Sequence, residues 1–235
     1  MNDPLAIRAL ATPDETALVD ASTGETWTVS ELDAAVERTA GRLAALGVEA
    51  GDHLALVMSP RPASMRIIHA ALRLGAVLVP LSHDLTPPEL QPRLDGTDVS
   101  IVLCDERTET AVATGTKLPI ASVDDPTQDR VQALQTVEAV DPPRHDWAGS
   151  DTALLAHTSG TTGDAKAVVL TATNLLTSAI ASAARLGIAP DDRWLVTLPL
   201  HHVGGVSPVL RMPLYGSTVV LRRGFDPGPC VDDVN

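Results

Sequence analysis

An α/β fold, doubly wound around mostly parallel sheets flanked by helices, is predicted by three observations. Short apolar β-forming runs alternate with longer stretches of helical period. Pro and Gly stand where helices would start and stop, as at Pro62, Gly47, Gly75 and Gly187. The alternation fades after Thr114 and returns after Ser150, so that one pattern brackets a Pro- and Asp-rich interval.

The elements follow in order. From Ser30 to Gly47 the sequence predicts a helix, with Ser30 as N-cap, Asp33 three places on, and Leu32, Val36, Ala40, Leu43 and Leu46 at helical spacing. Asp52–Met58 predicts a strand, and Pro62 opens a second helix that ends near Gly75. Ala76–Leu81 and Ser100–Cys104 predict further strands, with a helix starting at Pro87 between them. Residues 1–113 then form a first α/β unit and residues 114–150 an irregular excursion or linker. Residues 151–235 form a second unit: strands at Ala153–Ala156, Ala167–Leu170, Trp194–Leu198 and Ser217–Leu221, and helices at Thr173–Leu186 and Gly204–Leu214.

Composition narrows the function. The 235 residues are 44% hydrophobic and 20% charged, the balance of a globular chain. The net charge of −13 argues against a general nucleic-acid surface, which requires clustered Lys and Arg. No apolar run reaches the length of a membrane span and Asp3 and Arg8 interrupt the first ten residues, so a cytoplasmic location is expected. Cys104 and Cys230 are far apart and belong to no His/Cys cluster, which predicts two reduced thiols and no metal-ligating residue. Oligomeric state is left open, a homo-oligomer included.

The chemistry is concentrated in His157–Leu170, HTSGTTGDAKAVVL. Small hydroxyl residues and glycines let a backbone curl around a phosphate and offer N–H and O–H donors, and Lys166 adds a point charge. Only Lys117 and Lys166 are lysines in the chain. The spacing is not that of the P-loop NTPases, because Ala165 and Ala167 flank the lysine where that loop needs glycine and a hydroxyl.

Thr158, Ser159, Gly160, Thr161, Thr162, Gly163 and Lys166 instead match the loop T-S-G-[ST]-T-G-x-P-K-G of the adenylate-forming superfamily, which this stretch resembles. Ala165 stands for the usual proline and Ala167 for the usual glycine, changes that reduce preorganisation and leave the phosphate-contacting types intact. Trp27–Leu32, WTVSEL, and Leu72–Leu90, LRLGAVLVPLSHDLTPPEL, resemble two structural segments of the same superfamily, in the right order. Leu198–Gly205, LPLHHVGG, resembles its L-P-[LM]-[FY]-H-x-x-G segment, which places His202 on the family histidine beside the reacting carboxylate and leaves His201 without an assigned role. An imidazole donor there orients or partly neutralises the attacking oxygen. The continuation Leu210–Leu221, LRMPLYGSTVVL, resembles the o-succinylbenzoate-CoA ligases of menaquinone synthesis, with Arg211 either a substrate contact or a solvated surface charge.

The resemblance implies the N-terminal, incomplete part of an AMP-binding domain. It implies an acid-thiol ligase that joins a small-molecule carboxylate to coenzyme A through an acyl-adenylate, with ATP and Mg2+, the loop and Lys166 holding the phosphates and His202 the carboxylate. Other aryl- or fatty-acyl-CoA synthetases, and a noncatalytic nucleotide-binding module, are the alternatives. The superfamily's adenine, ribose and lid-lysine segments have no match up to Asn235, so the chain alone is expected to be inactive.

Overall fold

The computed structural model describes residues 3–158, 166–189 and 191–234. In chain order these form α1 (Pro4–Ala11), β1 (Thr16–Asp20), β2 (Thr26–Thr28), α2 (Val29–Ala45), β3 (His53–Val57), α3 (Pro62–Leu74) and β4 (Val77–Pro80). There follow α4 (Pro87–Asp95), β5 (Val99–Cys104), α5 (Glu109–Gly115), β6 (Ile120–Ser122), β7 (Val131–Ala133), a 3-10 turn at Leu134–Thr136, β8 (Thr152–Thr158) and β9 (Lys166–Thr171). The last elements are α6 (Ala172–Leu186), β10 (Arg193–Val196), α7 (Val203–Tyr215), β11 (Thr218–Leu221) and α8 (Pro227–Val234).

Among the described residues the strands form two sheets, ordered β10-β11-β1-β2 and β7-β6-β5-β3-β4-β8-β9. All neighbours pair in parallel except β1–β2 and β8–β9. One core joins both sheets through α2, α3 and α7. It runs from Leu18 and Val219 of the smaller sheet, through Leu32, Val36 and Leu43 of α2, Ile68 of α3 and Val209 of α7, to Leu54 and Leu154 of the larger. The opposite face of the larger sheet carries a second core, in which Ala55, Val57, Val79 and Val102 meet Leu90 and Leu94 of α4 and Val112 of α5. Leu54 and Leu56 face one core and Ala55 and Val57 the other, so β3 is covered on both sides and reads as a continuous apolar run.

The predicted α/β class and its parallel sheets are present, and the local differences have physical causes. The first long helix begins at Val29, ahead of the expected Ser30 cap. Thr28 Oγ1 accepts from Glu31 N–H, and the Glu31 carboxylate accepts from Thr28 N–H at 2.8 Å. A glutamate at this position reaches back to the cap, which the shorter Asp33 would do less readily. The interval 114–150, expected to be irregular, contributes β6 and β7 to the edge of the larger sheet. The two sheets also cut across the expected units: β1 and β2 pair in one sheet with β10 and β11, while β8 joins the sheet built by residues 53–133.

The rest of that interval is a strap over α2 and α3. His145 N–H donates to Arg73 O at 2.9 Å and Trp147 Nε1 to Leu72 O at 2.9 Å. A Cβ at Gly75 would strike the His145 ring, and one at Gly41 would strike Val140 O. Gly75 also has φ 79°, the left-handed conformation that ends α3.

Beneath the strap lies Arg73, its side chain wholly buried. Its guanidinium donates to Asp3 at 2.6 Å, to Glu37 at 2.7 Å and to Asp33, and Arg144 of the strap also pairs with Glu37 at 3.0 Å. His69, one turn earlier on α3, is buried beside it. Burial, with Arg73 nearby and against the pull of Asp3, pushes His69 down to about 4.

Two outcomes are expected. Arg73→Ala removes the shared partner of Asp3, Asp33 and Glu37, leaving Glu37 with Arg144, and is expected to lower the unfolding free energy by about 3–5 kcal/mol in urea denaturation. His69 has a folded pKa below its ordinary 6.5, so between these values the unfolded chain binds the proton that the folded chain refuses. Stability therefore falls as pH drops through that window, and His69→Gln makes the fall shallower in unfolding curves at pH 7 and pH 5.

Candidate active site

The crevice of an open α/β sheet lies outside the carboxyl ends of its parallel strands. β4 and β8 are parallel neighbours, so Pro80 and Thr158 end at the same edge. There β8 turns back into β9, with Thr158 paired to Lys166 and Thr158 Oγ1 donating to Lys166 O at 3.4 Å. This pairing holds the two ends of the Ser/Thr/Gly loop together. Both flanking residues are exposed at its mouth. Ser159, Gly160, Thr161, Thr162 and Gly163 lie outside the described residues.

His201 and His202 come from the other sheet, on the connection from β10 to α7. His202 is the N-cap residue of α7 and is exposed, while His201 is half-buried. Their rings are 4.1 Å apart and inclined by 45°. Burial first, then His202 and His83, push His201 down to about 4, with Asp84 opposing. The turn after β4 thus lies within electrostatic reach of the histidine pair. His83 and Asp84 carry no signal of this in the sequence pattern, because only the tertiary fold brings their turn to the start of α7.

Behind His202, α7 forms one wall of a cavity of about 510 Å³. Val203, Ser207, Arg211 and Leu214 line it at the spacing of one helical face, and Leu175 and Ser178 of α6 line it opposite. Arg211 Nη2 donates to Ser178 Oγ at 2.8 Å. This exposed bond ties Arg211 to α6 at the cavity wall. Arg8 closes the far end of α7, donating to Gly216 O at 2.7 Å and Ser217 O at 2.8 Å. Cys104 and Cys230 are free and buried, and burial, followed by Glu109 and Asp105, pushes the Cys104 thiol up to about 12, which leaves it unreactive at neutral pH.

A family model described as AMP-binding enzyme matches residues 5–235. The chain belongs to the AMP-binding enzyme family. Within this family it is 33% identical over 233 residues to a 2-succinylbenzoate–CoA ligase of Bacillus pumilus, covering 97% of this chain and 44% of that one. It is 35% identical over 235 residues to the ligase of the same name from Bacillus velezensis, covering 97% and 45%. The chain thus spans less than half the length of these relatives. The fold is also similar to that of the O-succinylbenzoate coenzyme A synthetase of Bacillus subtilis solved with ATP and magnesium ion, with TM-score 0.89, 32% identity, and coverage of 100% of this chain and 61% of that one. A Mycobacterium tuberculosis fatty acyl CoA synthetase gives TM-score 0.82 at 25% identity, covering 96% and 45%.

Among the described residues no helix is long and apolar enough to cross a membrane. The histidine pair yields a direct measurement. In an NMR titration the His201 ring signals are expected to change little from pH 7.5 to pH 5 and to move chiefly near the depressed value of about 4. Titration of His201 near its ordinary value would contradict its placement.

Proposed function

We propose that this chain is the phosphate-gripping part of an ATP-dependent acyl-CoA ligase whose substrate is 2-succinylbenzoate, in menaquinone biosynthesis and in the cytoplasm. The observation that carries the reading is the pairing of Thr158 with Lys166 at the carboxyl edge of β8, together with His202 as the N-cap residue of α7, the helix whose Val203 and Arg211 line a cavity.

In this reading the substrate carboxylate attacks the α-phosphate of ATP, giving an acyl-adenylate and pyrophosphate, and the thiol of coenzyme A then displaces AMP. Thr158, Ser159, Gly160, Thr161, Thr162, Gly163 and Lys166 hold the β- and γ-phosphates and stabilise charge as pyrophosphate leaves. Mg2+, when bound with ATP, would be held by the nucleotide's phosphates with few protein ligands and would supply further neutralisation of that charge. His202 donates to the carboxylate oxygen, and Arg211 offers a guanidinium to a second carboxylate on the acyl group. The apolar part of the cavity wall, Val203, Leu175 and Leu214, suits an aromatic ring. The partner is a small-molecule acid. Net charge disfavours nucleic acid, and association into a homo-oligomer is not required for these contacts.

The test is acyl-CoA formation and ATP–pyrophosphate exchange by a full-length ligase carrying this chain, with 2-succinylbenzoate, benzoates and fatty acids offered in parallel. Lys166→Ala is expected to lower kcat by about 10²–10³-fold, the scale of a lost transition-state donor. Arg211→Gln is expected to raise KM for 2-succinylbenzoate on the order of tenfold, the loss of one charge-assisted hydrogen bond, while leaving KM for ATP unchanged. A preference for fatty acids would replace the substrate assignment with a fatty-acyl one, and no adenylation of any acid would end the enzyme reading. The isolated chain is expected to show no exchange.

A further inference from the structure

The chain has 17 basic residues against 30 acidic ones, yet four arginines converge on one side of the central helices. Arg38 and Arg42 lie on α2, Arg61 is the N-cap residue of α3, and Arg66 lies in its second turn. Arg61 is committed to Asp124 through two hydrogen bonds of 2.7 and 3.0 Å. Arg38, Arg42 and Arg66 form no ion pair among the described residues. The Arg66 guanidinium sits 5.3 Å from the centre of the Trp27 ring, a cation–π contact that does not itself occupy its N–H donors. Arg42 Nε is buried and has no hydrogen-bond partner.

Arg38, Arg42 and Arg66 surround a cavity of about 110 Å³ closed by Thr39, Val123 and Gln135. Like charges held together without ion pairs repel, and the partial burial of Arg66 adds to the cost there. Burial and then the charges of Arg61, Arg38 and Arg42 lower the Arg66 pKa, with Glu25 the opposing charge. A buried donor without an acceptor adds a further penalty. An acceptor-rich dianion in the cavity relieves all of these at once.

We propose that this cavity binds a phosphate-type oxyanion, either free phosphate or the phosphoryl group of a phosphomonoester, on the forks of Arg38, Arg42 and Arg66. Planar guanidinium forks match the edges of a tetrahedral oxyanion, and an ammonium would not. The site is separate from the Thr158–Lys166 loop. Its wall residue Val123 follows β6, and β6 and β8 are four strand spacings apart in the sheet, about 19 Å.

The test is thermal unfolding of the chain in sodium phosphate, in glycerol 2-phosphate and in sodium chloride at matched ionic strength. Phosphate is expected to give a saturable rise in Tm beyond chloride, in the parent chain and in Lys166→Ala alike. Arg42→Gln and Arg38→Gln are each expected to weaken the apparent affinity about tenfold, one charge-assisted hydrogen bond being lost. Arg38 is exposed, so its variant reports on binding even where Arg42→Gln unfolds. Stronger protection by glycerol 2-phosphate identifies an ester-borne group, and equal protection identifies the free ion. The proposal is overturned by a rise that does not saturate, by one no larger than chloride gives, by one that survives both arginine variants, or by one that disappears with Lys166→Ala.

Discussion

Arg73 is the constraint on which the arrangement of layers depends. It is a cation placed in the apolar middle layer, where it is tolerable only while every fork is occupied by a carboxylate. Those carboxylates come from the cap of α1 and from two turns of α2, so the satisfied network sets the relative positions of three helices. The strap then closes over the same point, bonding to the carbonyls of Leu72 and Arg73 and adding Arg144 to Glu37. Such a network contributes little net stability over a hydrophobic equivalent, but breaking it leaves charge uncompensated, so it enforces one packing.

The site inherits this order. α1, tied to Arg73 through Asp3, carries Arg8 to the carbonyls at the end of α7. The other end of α7 is His202, and its middle carries Arg211. Packing around Arg73 thus supports the helix that presents the candidate acyl-site residues, and Asp3, Arg73 and Arg144 line the same cavity as Arg211. The proposed phosphate-gripping residues Thr158 and Lys166 depend on a different support, the antiparallel β8–β9 pair at the edge of the larger sheet, where Val168 and Val169 are exposed.

Much of this is legible from residues alone, wherever local chemistry decides the outcome. Pro62 starts α3 and Gly75 ends it, because a fixed φ suits the first turn and a left-handed residue suits the stop. Thr158 and Lys166 stand out as candidates because loop composition is a short-range feature, whereas His202 is a candidate only through the resemblance of LPLHHVGG to a family segment. The strap and β6–β7 are not legible. Their order comes from hydrogen bonds to helix ends and from pairing at a sheet edge, neither of which leaves a period in the sequence. α1 escapes the pattern for a similar reason: at eight residues it is too short to stand by propensity and is held by Asp3 and Arg8.

By itself the sequence determined the α/β class, because apolar period and Pro and Gly punctuation are written in neighbouring positions, and its motifs carried the resemblance to the family that the family model matches, with Thr158 to Lys166 as the proposed phosphate grip. Only the tertiary structure decided that residues far apart in the chain share a sheet, that the charges of His83 and Asp84 reach His201, that Arg211 lines a cavity, and that Arg38, Arg42 and Arg66 converge with no ion pair among the described residues. Those outcomes depend on long-range packing around buried charge, where the environment of a residue is set by segments remote from it in sequence.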